Sequence, residues 1–556
     1  MKYPYENLEN FTLPALLERS LGLYGKRDAF GVAGGEIFNY EEFGKKVQKV
    51  ATLLQENGIK KGDKVVLLSE NMPHWGVAYF SVVSFGAVIV PVLPDFHPAD
   101  VHHIIRHSEA KAVIASQKYL STIEDAKEES LKFVIELETL AIIERLLHKS
   151  YFEKIKEKII KTPESHLSVE EDDLASLLYT SGTTGHSKAV MLSHKNLVTN
   201  AMSAFEKVTI TPEDVFLSIL PLAHTFECTV GLIIPVLHGS SVRYIDKAPT
   251  PSVLLKAFEE VHPTMMLSVP LIIEKIYKNR VLPKFTGSAL MRTLYGIAFF
   301  RKILNKIAGK KLIQTFGGRI RFYGIGGAAL SPVVEAFLQE ANFPYIIGYG
   351  LTESSPLIAG SSLYAQSKLK STGTPMVGVQ IAIKDKDPVT GEGEIITKSS
   401  SVMMGYYKDE VKTSEVLQDG WLLTGDLGYI DEDGYLFISG RSKNVIIGSG
   451  GENIYPEQIE ASINQHEAVL DSLVMEQDGK LVARIHLDYE LLDTLFKADQ
   501  TPDGEVKVKI EKLLEELRLE VNAKVASFCR ISKFIEQIEP FVKTPTKKIK
   551  RYLYTN

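Results

Sequence analysis

A chain of 556 residues exceeds what one ordinary hydrophobic core serves, so two or more domains are expected. Its composition, 45% hydrophobic and 24% charged, is that of a globular protein, and a net charge of −6 gives nucleic acid no electrostatic footprint. Two cysteines, Cys228 and Cys529, stand without CxxC or zinc spacing, which argues against a disulfide framework and suits a reducing, cytoplasmic setting.

The opening stretch MKYPYENLENFTLP has no basic segment followed by an apolar one, so no signal peptide is expected. Strand-like runs then alternate with helical patterns: KVVLLSE at 64–70, KAVIAS at 111–116, TMMLSVP at 264–270 and RIRFYGIGG at 319–327. That alternation predicts α/β layers around a mostly parallel sheet. The apolar run GVAYFSVVSFGAVIVPVLP (76–94) approaches membrane-spanning length, but its serines, Gly86 and Pro91 predict a buried helix leading into a core strand at 87–91. His103 and His107 lie one helical turn apart, with His97 and His102 nearby; no carboxylate or cysteine cluster joins them, so a solvated helix face is expected rather than a metal site.

Residues 177–194 read LLYTSGTTGHSKAVMLSH. Hydroxyls, backbone amides made accessible by glycine, and Lys188 together suit a polyphosphate cradle. The stretch is not a Walker A loop, because Gly182 and Gly185 are too close and Lys188 follows only after two further residues. Between Val281 and Ile320 no acidic residue occurs, while lysines and arginines mix with apolar and aromatic residues. Such a basic stretch suits an anionic membrane surface, a docking face for an acidic protein, or plain solvent. At 324–332, GIGGAALSP mimics a dinucleotide fingerprint, but NFPYIIGYG supplies no acid at the end of the next strand, which argues against a nicotinamide cofactor. From Ile381 the pattern changes to short strands and turns, with Asp433-Gly434 marking a tight hairpin. A boundary near 441–444 then leaves a small C-terminal domain that includes a charged amphipathic helix at 506–525.

TSGTTGxxK at 180–188 closely resembles the phosphate loop of the adenylate-forming superfamily, which includes acyl-CoA synthetases, peptide-synthetase adenylation domains and luciferases. Four further stretches resemble that family's later motifs in order: GYGLTES (348–354), TGDLG (424–428), GRSKNVI (440–446) and KTPTKKIKR (543–551). The resemblance implies a large domain, 1–441, of layered α/β subdomains plus a small β-barrel-like subdomain at about 381–440. It also implies a small mobile α+β lid, 442–556, carrying a catalytic lysine. In this reading Thr180, Ser181, Gly182, Thr183, Thr184, Gly185 and Lys188 grip the phosphates of ATP, and Thr352 bonds the α-phosphate. Glu353, with Thr184, holds Mg2+, and Tyr349 lies on the adenine between Gly348 and Gly350. Gly326, Gly327 and Ala328 line the adenine and acyl pocket, while Asp426 and Arg441 hold the ribose.

Lys443 or Asn444 serves as the hinge, and register from Ile549 and Arg551 selects Lys548 as the catalytic lysine. Here the chain departs from the pattern: the family commonly has glycine directly before that lysine, and this chain has Lys547. Ser187 and Ala189 also replace a more usual proline and glycine, without removing a donor. LPLAHTFECTVG (220–231), with His224, Phe226 and Glu227, is similar to long-chain fatty acyl-CoA synthetases, as is SGGENIYPEQIE (449–460). There His224 would lie near the acyl carboxylate. The implied reaction joins a fatty acid to CoA through acyl-AMP, using ATP and Mg2+. Acyl carrier protein as acceptor, and a nucleotide-binding relative without turnover, are the alternatives.

Overall fold

The apolar run at 76–94 resolves into a helix, Pro73–Val83, and a strand, Val88–Val92. Proline at the first helical position pre-sets the backbone, and Gly86 reverses the chain at φ +80°. Every residue from Trp75 to Val83 is buried, and Trp75 stacks on Tyr79 with ring centroids 5.4 Å apart. A helix apolar on all sides must be enclosed, and each of its Val and Phe side chains contributes roughly 1.5–3 kcal/mol by leaving water. Among the described residues, no helix is long and apolar enough to cross a membrane.

This computed structural model describes residues 4–126, 131–143, 168–180, 188–365, 367–448, 452–496, 503–545 and 547–555. Of these, the residues in 4–180, 188–381 and 397–422 form one compact unit, and those in 382–396 and 423–555 form a second.

The first unit is α/β, with two large sheets. In one, the strand order runs Thr374–Pro375, Leu357–Gly360, Tyr345–Gly350, Phe322–Ile325, Met265–Ser268, Val215–Ser218, Ser241–Tyr244, Asp28–Val32, Ile37–Asn39. In the other it runs Gly405–Tyr406, Lys188–Ser193, Leu174–Thr180, Val88–Val92, Lys64–Leu68, Ala112–Ala115, Phe133–Glu136, Ala141–Ile142. The central pairs are parallel, as the alternating pattern requires, and their β-branched residues are buried on both faces. Antiparallel pairs sit toward the edges.

In the second unit, Asp431–Tyr435 turns the hairpin between Trp421–Ile430 and Leu436–Arg441, with Gly434 at φ +83° as its sequence predicts. A three-stranded sheet follows, Val469–Gln477, Lys480–Leu487 and Lys533–Glu536. Its first two strands are joined by Asp478-Gly479, both in the left-handed region. The helices Pro456–Ile463 and Asp503–Asn522 bury Ile459, Ile463, Leu514 and Leu517 in the same apolar cluster as Val474 and Ile485.

Candidate functional site

Four neighbouring strands of the nine-stranded sheet, Val215–Ser218, Met265–Ser268, Phe322–Ile325 and Tyr345–Gly350, run parallel. The segments leaving their C-terminal ends therefore collect on one edge, where open α/β sheets bind ligands. Three segments marked in the sequence leave from there. The turn to His224 follows Ser218, Gly326 to Ala328 follow Ile325, and Thr352 and Glu353 follow Gly350.

His224 caps the short helix Thr225–Cys228, its Nδ1 accepting the amide of Phe226 at 3.2 Å. Phe226 in turn lies against Gly326, where an added Cβ would stand 3.1 Å from the ring. Glycine there brings the histidine turn and the 326–328 segment together. Gly326 is buried and its amide donates to the Ser268 carbonyl at 3.2 Å, while Gly327, at φ +86°, and Ala328 are exposed.

The GYGLTES segment is tightly held. Tyr349 is buried, and Gly348 and Gly350 pair with Gly360 and Leu357. A Cβ on Gly350 would fall 1.9 Å from the Pro356 carbonyl oxygen, so no other residue fits this crossing. Asn200 fixes the far side, donating to the carbonyls of Ser354 and Leu357 and accepting the Leu357 amide. Thr352 and Glu353 are left half-buried between these anchors.

Lys188 and Glu353 meet through a residue the sequence did not mark. Gly405–Tyr406 pairs antiparallel with Lys188–Ser193, and the Met403 amide donates to the Glu353 carbonyl at 2.8 Å. Tyr406 then donates its hydroxyl to Glu353 Oε1 at 2.8 Å, and Lys188 Nζ lies over the Tyr406 ring, 4.7 Å from its centroid. A carboxylate, a phenol and an ammonium thus stand in one row. A single half-buried carboxylate suits Mg2+, which takes one or two protein carboxylates and completes its shell with phosphate oxygens and water. Thr180 and Lys188 are Cα partners across the strand pair, so the two ends of the TSGTTGxxK segment converge. Ser181, Gly182, Thr183, Thr184 and Gly185 lie outside the described residues.

Beneath the histidine turn lies a group with an altered proton affinity. Glu227 is 1% exposed; Ser218 Oγ donates to its Oε1 at 2.6 Å, and Oε2 has no hydrogen-bond partner. Burial pushes this carboxyl up to about 8, against the lowering effect of the Ser218 hydrogen bond, with Cys228 and Tyr244 also facing it. Gly231 leaves room for the carboxyl, since a Cβ there would approach Oε1 to 2.6 Å. The native state therefore binds one more proton than the unfolded chain between about 4.5 and about 8, so Glu227 subtracts stability as pH rises through that window. Urea denaturation at pH 6 and pH 9 checks this: Glu227→Gln is expected to flatten the loss of midpoint that the parent shows at pH 9.

In the second unit, Asp426 is buried and Arg441 exposed; they are Cα partners, joined by Arg441 Nε and Asp426 Oδ1 at 2.8 Å. The ion pair brings the two expected ribose residues together. Asp426 is further fixed by its amide donating to Thr424 Oγ1 at 3.1 Å. Of the hinge candidates, Lys443 is exposed, whereas the Asn444 amide donates to Glu457 at 2.5 Å. Lys548 is exposed on a short hairpin whose legs meet at a Lys543–Ile549 bridge. Lys547, standing where the family commonly has glycine, is at φ +63°, which explains that preference.

The histidines have local roles. His97 caps the helix Pro98–Ser108, His102 bonds the Thr122 carbonyl, His103 stacks on His107, and His107 Nδ1 lies 2.8 Å from the Tyr179 hydroxyl.

A family model described as AMP-binding enzyme matches residues 17–407. A long-chain-fatty-acid–CoA ligase named heimdall, from Drosophila melanogaster, is 30% identical over 554 residues, covering 92% of this chain and 78% of that protein. Long chain acyl-CoA synthetase 6, peroxisomal, from Arabidopsis thaliana is 28% identical over 558 residues, covering 92% and 79%. Among solved structures, the anthranilate CoA ligase AuaEII in complex with anthranoyl-AMP superposes with a TM-score of 0.78 at 22% identity, covering 98% of this chain and 96% of that one; this is a likeness of fold.

Proposed function

The chain belongs to the AMP-binding enzyme family, and from that premise we propose that it is a fatty acid:CoA ligase acting on long-chain acids through an acyl-adenylate. In the first half-reaction a carboxylate oxygen attacks the α-phosphorus of ATP and pyrophosphate leaves. In the second the CoA thiol attacks the acyl carbon, the acyl–oxygen bond breaks, and AMP leaves. Two anions must first be brought together, so the protein has to supply fixed positive charge and orientation.

The row Lys188–Tyr406–Glu353 carries this reading. Lys188, with the phosphate loop, faces the β- and γ-phosphates. Glu353 would hold Mg2+, which would supply positive charge to the phosphates, and Tyr406 holds the carboxylate in place. Thr352 bonds the α-phosphate, Tyr349 and Gly326 to Ala328 frame the adenine, and Asp426 with Arg441 receives the ribose. Lys548 bridges carboxylate and α-phosphate in the first step. The residues from 442 onward then turn about Lys443 or Asn444 to admit the thiol, a gating motion of the lid kind. The His224–Phe226 turn, by its resemblance to long-chain synthetases, supports a long acyl chain, as do the fly and plant relatives, both of them long-chain enzymes by name. A screen of pyrophosphate release over C2 to C18 and aromatic acids, with CoA and holo-acyl carrier protein as acceptors, tests the assignment. Highest rates with C12 to C18 and CoA are expected; a preference for aromatic acids or for the carrier would overturn it.

Such acids partition into bilayers, and the acid-free stretch at 281–320 supplies a face for drawing them from one. On the helix Ala298–Thr315, Asn305, Gly309 and Leu312 are buried. By the 3.6-residue period, Phe299, Phe300, Ile303 and Ile307 fall on an outward stripe with Lys302 and Lys306 along one side, Lys311 along the other and Lys310 within it. Phe299 is 68% and Ile307 60% exposed. An apolar stripe edged by lysines fits the surface of an anionic membrane. Phe299→Glu with Ile307→Glu is expected to abolish co-sedimentation with phosphatidylglycerol vesicles, leaving turnover of a soluble short-chain acid unchanged.

A further inference from the structure

Lys548 can work only if the hairpin bearing it is held still. An isolated two-stranded hairpin is marginal in water, so its own hydrogen bonds do not suffice. Among the described residues they include the Thr544 amide donating to the Lys548 carbonyl, the Lys547 amide to the Thr544 carbonyl, the Lys548 amide to Thr544 Oγ1, and the Lys550 amide to the Val542 carbonyl. Thr546 lies outside the described residues.

Each leg is also fastened to one strand, Val469–Gln477. On the incoming leg, Lys543 Nζ donates to both oxygens of Asp471, at 2.8 and 2.7 Å. On the outgoing leg, the Arg551 guanidinium donates to the Val474 carbonyl at 3.2 Å and to Glu460 at 2.5 Å, with Glu457 3.8 Å away. Glu460 in turn accepts the Val474 amide at 2.7 Å, closing a loop of bonds around one residue of the strand. These are not solvent-swept surface pairs. The side chains are 30% and 25% exposed in the first, and 22% and 11% in the second, so each anchor resists slippage more than an exposed pair would.

We propose that Asp471 and Arg551, with Glu460 behind the latter, are positioning residues for Lys548: they fasten both legs of its hairpin to one strand and so fix where the turn presents the ammonium. The proposal rests on the reading of Lys548 as the adenylation lysine. Asp471 and Arg551 act on the hairpin rather than on substrate, so their loss should be felt only in the half-reaction that uses Lys548. A displacement on the order of 1 Å can cost about a hundredfold in rate.

Two half-reactions read separately give the test: ATP–pyrophosphate exchange, and thioester formation from preformed acyl-AMP. Asp471→Lys is expected to lower exchange at least about tenfold while changing thioester formation less than about twofold. The reciprocal double variant, Asp471→Lys with Lys543→Asp, restores the ion pair and is expected to recover most of the exchange rate. Unchanged exchange in Asp471→Lys would overturn the proposal. So would an equal fall in both half-reactions, which marks general destabilisation, or a double variant no better than the single one. Lys548→Ala, run in parallel, separates the two levels. If it leaves exchange intact, the reading of the lysine fails; if it impairs exchange while Asp471→Lys does not, only the clamp fails.

Discussion

Lys548→Ala is expected to lower ATP–pyrophosphate exchange by about two to three orders of magnitude, while thioester formation from preformed acyl-AMP stays within about twofold. The size follows from what the lysine does. In the proposed mechanism it supplies the cation between two approaching anions, and removing one fixed donor at a developing charge costs about a hundred- to a thousandfold. The selectivity follows from the chemistry, since thiol attack on the acyl carbon has no such pair of anions to bring together. Two adjacent lysines compete for this role, and backbone geometry separates them. Lys547 is in the left-handed region at φ +63°, where a side chain is a burden of about 1 kcal/mol, and the family commonly has glycine there. Lys547→Gly is therefore expected to keep exchange within about threefold and to leave the thermal midpoint unchanged or raised. The opposite pattern, with Lys547→Gly inactive and Lys548→Ala active, would move the catalytic role by one residue.

Glu353→Gln carries the second large effect. The substitution keeps an oxygen that can accept from Tyr406, which donates to Glu353 Oε1 at 2.8 Å, but removes the charge. Exchange is expected to fall about a hundredfold, with part of the loss recovered at raised Mg2+, because a neutral amide is a poor ligand for a hard cation. Tyr406→Phe leaves the carboxylate charge in place and loses only its orienting hydrogen bond, so a fall of about tenfold or less is expected. A Mg2+ titration of exchange in both variants reads the difference. An unaltered Mg2+ requirement in Glu353→Gln would remove that residue from the metal.

Much of this arrangement was legible in the sequence because local chemistry dictates it. The helix and strand at 73–92, the Asp433-Gly434 hairpin and the segments carrying His224, Gly326 and Glu353 announce themselves through composition, spacing or resemblance. What stayed hidden depends on long-range pairing. Tyr406 stands in GYYKD with no spacing to mark it, and it reaches Glu353 because Gly405–Tyr406 adds a strand beside Lys188–Ser193. Asn200 looks like any helix residue until its amide is seen holding Ser354 and Leu357. Asp471 and Glu460 have ordinary neighbours in sequence, and only the return of residues 543–551 to the strand Val469–Gln477 makes anchors of them. Glu227 was visible as part of a subfamily pattern, but its proton affinity comes from burial beneath Ser218, which spacing does not reveal.

The proposed activity requires that the acid be activated by bonding its carboxylate to the α-phosphate of ATP. Turnover of a fatty acid labelled with oxygen-18 in its carboxylate, with ATP, Mg2+ and CoA, tests that bond directly by mass spectrometry of the products. Adenylation requires that the oxygen attacking phosphorus stay with it when the thiol displaces AMP. One labelled oxygen in AMP and none in pyrophosphate is the expected result. Label in orthophosphate, with ADP as the nucleotide product, would contradict it.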